Sequence, residues 1–310
     1  MNIKIDGFIY AMIITILIAI GTKQANAQLS GFHAGYFENE YLSNPAMAGM
    51  QEGLNLNLGY QQQWTTVPGA PKLQNLTADY NSGNNVGLGI NVNSDQAGLI
   101  SRTRVMGTYA YHLPVNGDER NLNFGLSLGI NDTYIDYSKI VGDQGDVEAE
   151  TFNARNIYLD GDFGMSYTSE RLTIQGAVPN LRSVFFNNDQ NNNLEVDRAT
   201  FFSAVSYKIL FSDEENTFCL EPKLAYRGIK GFDNILDVGA NMDMASYHIN
   251  VSGIYHTNQT VTIGAGLKLD NMDLLFAYTN NTGSLRTYAA NTFEFGVKLK
   301  LFNKYTPALY

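Results

Sequence analysis

Apolar and polar residues alternate with a period of two along most of this sequence. The pattern is clearest at 54–60, 86–93, 122–130, 261–269 and 293–301. Because successive side chains of a strand point to opposite faces, each stretch predicts a strand with one apolar face. The other face is mostly Gly and Asn, which suits a crowded, enclosed interior better than open water. The stretches are about 9–12 residues long, the length that a tilted strand needs to cross a bilayer.

The alternation therefore predicts an all-β fold, a transmembrane antiparallel β-barrel of about 14 strands, an even number as in bacterial outer-membrane barrels. A closed barrel is the form in which strands can cross lipid, because it leaves no backbone polar group unpaired. The predicted strands lie at 53–62, 72–80, 85–93, 102–112, 120–132, 155–168, 171–178, 198–208, 217–227, 234–243, 246–255, 259–269, 272–280 and 290–302.

The connections between these strands support the same prediction. A barrel whose N-terminus is periplasmic has long loops after odd strands and short turns after even ones. The connections after odd strands are mostly long, whereas those after even strands are mostly tight. The segment 209–216 is longer than this rule predicts, and the connection near 257–258 is shorter. The long connections are 61–71, 94–101, 133–154, 179–197 and 281–289.

The N-terminus has the features of a signal peptide. Lys4 precedes an apolar run at 8–20, and Ala25-Asn26-Ala27 forms a cleavage site, so the mature chain should begin at Gln28. The expected division is 1–27 signal peptide, 28–52 periplasmic N-terminal segment, 53–302 outer-membrane barrel and 303–310 C-terminal tail. Segment 28–52 either plugs the lumen or presents a docking surface, and the sequence leaves both alternatives open.

Composition excludes several classes of function. The net charge of −10 argues against a nucleic-acid partner, because phosphate binding needs a basic surface. The single cysteine, Cys219, excludes an intramolecular disulfide and indicates a small apolar residue on a strand. The expected localisation is the cell outer membrane, with lipid around the barrel.

No residue pattern indicates catalysis or a metal. His248, Asn250 and Ser252 alternate on one predicted strand, and residues two apart lie about 7 Å from each other, too far for a catalytic triad. The remaining histidines, His33, His112 and His256, lack the spacing of metal ligands. The Asn-rich run 187–193 lacks the Gly and Glu of a calcium loop. We therefore expect no enzyme activity, cofactor or metal.

Charged residues on the polar faces of the strands should point into the barrel. Facing opposite charges would pair and help to fill the lumen, because an unpaired buried charge is costly. The alternative is that these charges line a water-filled channel. The residues concerned are Glu221, Lys223, Arg227, Asp237, Asp243, Lys268, Glu294, Lys298 and Lys300.

Two parts of the sequence resemble a known family. The run 35–49, GYFENEYLSNPAMAG, and the run 59–64, GYQQQW, resemble the N-terminal signature of the PorP/SprF family. Further similarity covers 220–224, LEPKL, and 237–241, DVGAN. The chain departs from the family pattern after the signal peptide, where an acidic-Pro pair is absent, and in the Gln-Trp motif, where Gln replaces an Arg.

The resemblance implies an outer-membrane component of the type IX secretion and gliding machinery of Bacteroidota. Such a protein would bind a secreted surface protein by recognising the C-terminal domain of that secreted protein. It would act together with other secretion components and would not catalyse a reaction. The alternative is a channel for small solutes. The resemblance implies these partner-binding residues: Phe37, Tyr41, Asn44, Pro45, Gly49, Gln63 and Trp64.

Overall fold

The computed structural model describes residues 35–63, 69–115, 120–135, 157–185, 199–212, 217–229, 233–282 and 291–302. The expected signal peptide, the C-terminal tail and the run 187–193 lie outside the described residues. The strands are β1 (Leu54–Gln62), β2 (Lys72–Asn81), β3 (Val86–Ala97), β4 (Ile100–Pro114), β5 (Asn121–Ile135), β6 (Tyr158–Thr168), β7 (Leu172–Val178), β8 (Ala199–Tyr207), β9 (Ile209–Ser212), β10 (Thr217–Ile229), β11 (Ile235–Met244), β12 (Ile249–His256), β13 (Thr260–Lys268), β14 (Met272–Asn281) and β15 (Thr292–Leu301).

These strands form one antiparallel sheet that closes on itself. Each strand pairs with its neighbour in sequence, except that β8 and β9 both pair with β10, and β1 closes the ring with β15, from Leu54 opposite Leu301 to Gln62 opposite Phe293. Within the described residues, no helix is long and apolar enough to cross a membrane. Closure satisfies the backbone groups that an open sheet would leave exposed.

The segments β8 and β9 are two parts of one strand. They keep a single register against β10, since Ser206 pairs with Lys223 and Ile209 with Leu220. The interruption at Lys208 follows Tyr207, and Tyr207 lies opposite Pro222, which has no N–H to donate to the ladder. The wall of the barrel therefore has fourteen strands, and the predicted fold class is confirmed.

The two faces of the wall differ as the alternation predicts. Outside, Leu128 is 64% and Ile263 is 60% exposed, as expected for side chains that face lipid. Inside, polar side chains such as Thr77, Asn123 and Thr262 are fully buried. The interior is thus packed and polar, and the oily surface is external.

The two ends of the barrel are distinct. At one end, here called the turn end, short connections such as 82–85, 169–171 and 269–271 join the strands. At the other, here called the loop end, the long connections 136–157 and 179–198 emerge. By the usual rule for bacterial barrels, the turn end faces the periplasm. Exposed tyrosines mark both rims: Tyr80, Tyr111 and Tyr207 at the turn end, and Tyr134, Tyr226 and Tyr255 at the loop end.

Three predictions of local structure were wrong. The predicted loop 94–101 is mostly strand, because β3 and β4 continue past the lipid, where both faces can be polar, and only residues 98–99 join them. The predicted turn 209–216 contains β9. The predicted strand 246–255 starts late, since Ala245–Tyr247 is a 3-10 helix and His248, with a φ of 55°, precedes β12.

Candidate functional site

Residues 35–50, here called the lumenal segment, lie inside the barrel. The segment consists of a short helix, Gly35–Glu38, and two 3-10 helices, Glu40–Leu42 and Pro45–Met47. It touches β11 near the loop end, because Tyr36 donates a hydrogen bond to Asp237. It reaches the wall near the turn end, where Asn81 Nδ2 donates to the Gly49 carbonyl over 2.9 Å. The segment therefore runs through the lumen from near the loop end to near the turn end.

Glycines of the inner wall make room for this segment. A Cβ on Gly125 would lie 2.2 Å from the carbonyl carbon of Pro45, and one on Gly164 would lie 2.0 Å from Asn44 Oδ1. A Cβ on Gly89 would similarly lie 2.4 Å from the Tyr41 hydroxyl. Contacts this short are not tolerated, so the segment occupies space that only glycine leaves open. The Gly-rich polar face seen in the sequence thus has a structural cause.

Asn44 holds the middle of the segment. Its Oδ1 accepts from the Ala46 amide over 3.0 Å, which caps the second 3-10 helix, and Pro45 occupies the first position after the cap. Its Nδ2 donates to the Met165 carbonyl over 3.2 Å. One buried side chain therefore shapes the segment and ties it to β6.

The loop-end contact is a network of buried charges. Arg227 Nε donates to Asp237 over 2.8 Å, and His256 Nδ1 lies 2.5 Å from the other oxygen of that carboxylate. The Tyr36 hydroxyl completes the set, and the guanidinium of Arg227 lies 5.2 Å from the centre of the Tyr36 ring. A buried carboxylate needs such partners, since leaving it alone would be costly. Tyr36 is thereby fixed to the wall.

A second charged contact lies nearer the turn end. Lys223 Nζ forms an ion pair with Glu40 over 2.7 Å and donates to the Phe37 carbonyl over 3.3 Å. Glu38 beside it accepts from Asn250 over 2.8 Å. Burial raises the pKa of Glu38 above its ordinary value, although Lys268 and Lys223 oppose the change. Burial also raises the pKa of the Tyr36 hydroxyl.

Other inward charges pair within the wall. Lys268 pairs with Asp243, and Lys300 pairs with Asp273 over 2.8 Å. Arg104, which the sequence analysis did not single out, binds Asp162 over 2.7 Å. These pairs match the alternative in which facing opposite charges neutralise each other.

The exit of the segment is held at the turn end. The Gly49 amide donates to Asp79 over 3.1 Å, and His112 Nε2 lies 3.0 Å from the Ala48 carbonyl. Gly49 has a φ of 70°, and a Cβ there would lie 2.6 Å from Gly87 Cα, so the position requires glycine on both counts.

Two cavities flank the lumenal segment. One of about 400 Å³ lies against β1, β2 and β12–β15, with Asn57, Asn75 and Lys298 in its wall. The other, of about 430 Å³, lies toward the turn end and is lined by Leu210 and Cys219 among others. Glu38 borders both cavities.

The structure places five of the seven predicted partner-binding residues in the lumenal segment: Phe37, Tyr41, Asn44, Pro45 and Gly49. Gln63 is buried just beyond the loop-end terminus of β1, where its backbone N–H donates to the Pro71 carbonyl over 2.9 Å. It is therefore not brought together with the other five residues. Trp64 lies outside the described residues. The sequence analysis did not identify Tyr36 or Glu40 as site residues, although Glu38 and Glu40 are the two charged residues of a run that is otherwise apolar and polar uncharged.

The structure does not bring His248, Asn250 and Ser252 together. Asn250 and Ser252 are buried on β12, whereas His248 is exposed beside the turn, with its Nδ1 3.1 Å from the Lys268 carbonyl oxygen. Among the residues that the structure describes, no cluster of three His, Cys, Asp or Glu side chains could hold a metal ion. The contacts that the described residues do make around the lumenal segment are buried polar contacts and ion pairs.

Comparison with known proteins gives one family and several barrels. The model of the type IX secretion system membrane protein PorP/SprF matches residues 25–299. No curated protein matches the chain significantly. Similar solved structures include the outer membrane protein Omp33 of Acinetobacter baumannii, at 8% identity and a TM-score of 0.45 over 81% of this chain and 99% of that one. The toluene transporter TodX of P. putida gives 9% and 0.43 over 83% and 91%, and the KdgM porin gives 10% and 0.38 over 79% and 98%.

Proposed function

Because the chain belongs to the PorP/SprF family of type IX secretion system membrane proteins, we propose that it acts as a scaffold of that system in the outer membrane. It binds a secreted surface protein through the C-terminal domain of that protein, and it does so together with other secretion or gliding components. Lipid surrounds its apolar outer face. The protein binds and positions its partners and catalyses no reaction.

The observation that carries this proposal is the filled lumen. The lumenal segment is tied to the wall at Asp237, Lys223, Met165 and Asp79, through contacts of Tyr36, Glu40, Asn44 and Gly49. A wide solute channel needs a continuous aqueous path, whereas a scaffold needs a rigid body. Segment and wall packed together support the second role.

The seven residues implied by the family resemblance have two parts in the proposal. Phe37, Tyr41, Asn44, Pro45 and Gly49 keep the lumenal segment in place, so their effect on a partner is indirect. Gln63 is buried just beyond the loop end of β1, and Trp64 follows it in the sequence. We assign direct contact with the surface protein to Trp64 and the support of that contact to Gln63. This division fits a partner that is held on the outer side of the membrane.

The proposal is tested by deleting the gene and measuring surface display of a secreted protein that carries a type IX C-terminal domain. Display should be lost and should return with the wild-type gene. Trp64→Ala should restore less display than Tyr109→Ala, a matched aromatic change on the lipid-facing wall. Unchanged display in the deletion strain would refute the scaffold role.

The two cavities favour a second candidate, a channel for small solutes. The cavities have volumes of about 400 Å³ and 430 Å³ and lie beside the lumenal segment. Planar-bilayer recordings of the purified protein distinguish the two functions. A large and steady conductance supports the channel, and a silent barrel supports the scaffold.

A further inference from the structure

In the part of the chain that the structure describes, β9 is the one strand segment with a neighbour on a single side. The closed wall pairs every other strand on both sides, whereas β9 pairs only with β10, from Thr217 opposite Ser212 to Leu220 opposite Ile209. A barrel normally abolishes sheet edges. A remaining edge therefore needs an explanation.

The edge arises because β9 continues past its neighbour β7. The ladder between β7 and β8 begins with Leu172 opposite Tyr207, and the last bond runs from the Lys208 amide to the Arg171 carbonyl over 2.7 Å. Backbone groups of a strand point alternately to its two sides. The N–H and C=O of Leu210 and Ser212 therefore point to the same side as those of Lys208, where no strand lies.

The side chains of β9 are also open. Ile209 and Phe211, on the outer face, are 36% and 53% exposed, and Leu210, 49% exposed, borders the cavity toward the turn end. Since Tyr207 belongs to the turn-end rim of tyrosines, these residues lie beyond the level at which lipid ends. Water must therefore satisfy the free backbone groups in the isolated protein, and a partner could replace it.

A second overhang in the same barrel shows how such an edge is blocked. β4 also outlasts its neighbour, because the ladder with β3 ends at Tyr111 opposite Val86 and with a bond from the His112 amide to the Asn85 carbonyl over 2.7 Å. There Pro114 removes the next donor on the open side. Proline is a common device against edge pairing, and β9 has none.

Charged side chains near Lys208, where β7 stops and the free edge of β9 begins, indicate which kind of partner could bind there. Arg171 and Lys208 are both exposed where β7 stops, Glu170 is next to them, and Glu221 lies opposite Lys208 on β10. The two cations flank the last backbone bond before the open edge, so they are the charges that an added strand would meet first, and an acidic group would be attracted there. A second copy of this chain is a poor occupant. Two copies inserted in the membrane in the same direction would bring their β9 strands together in parallel. A parallel ladder needs one strand shifted along the other by one residue, and a two-fold axis does not produce that shift.

We propose that the free edge of β9 binds an extended segment of a periplasmic partner protein by strand addition. The segment runs antiparallel to β9, places apolar side chains beside Ile209 and Phe211, and sets an acidic residue against Arg171 and Lys208. Main-chain hydrogen bonds hold it, and alternate side chains give it specificity. This deepens the proposed function by naming the chemistry of one partner, and it rests on that function only for the partner's compartment.

The test uses the full-length protein in detergent and a fluorescent synthetic octapeptide of alternating Thr and Val that ends in Asp and an amide. Binding is followed by fluorescence anisotropy. Leu210→Pro, which removes a donor only from the open side, should weaken binding about tenfold or more, because backbone hydrogen bonds supply the affinity. Leu210→Val, which keeps the donor, should bind as the wild type does.

Charge is tested separately, in a variant that leaves the backbone alone. Arg171→Gln with Lys208→Gln should weaken the Asp peptide and leave a peptide ending in Asn unchanged. Heat-modifiable migration on gels verifies that each variant is folded. Equal binding by the wild type and the folded Leu210→Pro variant, or no binding by the wild type, overturns the proposal. Since surface display is not measured here, failure of this proposal is distinguishable from failure of the scaffold role.

Discussion

At the scale of single residues, the glycines of the inner wall are defined by what they face. Gly125→Ala would place a methyl group 2.2 Å from the backbone of Pro45. We expect a loss of about 2 kcal/mol in the free energy of unfolding, since overpacking in a filled interior costs about 1–3 kcal/mol. Chemical unfolding in detergent, monitored by far-UV circular dichroism, measures this free energy.

The matched control is Gly176→Ala, because a Cβ on Gly176 has nothing within 4 Å. That variant should unfold within about 0.5 kcal/mol of the wild type, as surface substitutions usually do. Equal losses in the two variants would mean that the lumenal segment does not press against the wall at Gly125.

Glu38 gives a prediction in which pH matters. Burial raises the pKa of Glu38, so the folded protein binds the proton more tightly than the unfolded chain does. The stability that this provides is present below the ordinary pKa of the carboxyl group and is lost as the pH rises through the raised pKa. Glu38→Gln, which keeps an acceptor for Asn250, should therefore raise the unfolding midpoint at neutral pH, with a smaller gain near pH 4.

Glu40→Gln is the contrasting variant at the neighbouring position. It leaves Lys223, which is only 5% exposed, without its anionic partner. Removing one partner of a buried pair costs about 3–5 kcal/mol, so this variant should unfold earlier at neutral pH. A Glu38→Gln variant that also unfolds earlier at neutral pH would show that its carboxylate is stabilising, contrary to the sign argued here.

At the scale of elements, alternation was enough to predict nearly every strand, because each has one face in lipid and one in a polar interior. It failed where a strand leaves the lipid. Residues 94–96 are polar on both faces, so β3 resembles a loop there. Pro222 had the opposite effect, since it removes a backbone bond to Tyr207 and interrupts the partner strand just after that residue without ending it.

The 3-10 helix Pro45–Met47 gives a prediction at this scale. Asn44→Ala removes the cap at Ala46 and the bond to the Met165 carbonyl. It should lower the free energy of unfolding by about 2 kcal/mol, at the upper end for a lost cap. Asn44→Ser keeps a capping oxygen and should lose clearly less. If Ser and Ala cost the same, the bond to β6, rather than the cap, is the part that matters.

At the scale of the whole molecule, the path of the lumenal segment could not be predicted from the sequence. The segment is held by residues far along the chain, such as Lys223 for Glu40 and Asp237 for Tyr36. Alternation shows only that these side chains point inward, and says nothing about which of them meet. The segment's aromatic residues and its Asn-Pro turn indicate an ordered piece, but its position follows from the closure of the barrel.

That position leads to the last prediction. Small barrels of about eight strands fill their interior with wall side chains, whereas barrels of sixteen to eighteen strands leave a channel. A fourteen-strand wall lined with Gly, Asn and Thr is too wide and its side chains are too short to fill it alone. Deleting residues 36–50 should therefore produce a large, steady single-channel conductance in planar bilayers, where the intact protein is expected to be silent.

The control for this deletion is a variant that disturbs only the outer face. Leu128→Ala changes an exposed, lipid-facing side chain and should leave conductance as in the wild type. A deletion protein that runs as a folded, heat-modifiable barrel and still does not conduct would show that the wall closes the lumen by itself. In that case the lumenal segment would not be what blocks the lumen, and the rigid unit proposed as the scaffold would be the wall alone.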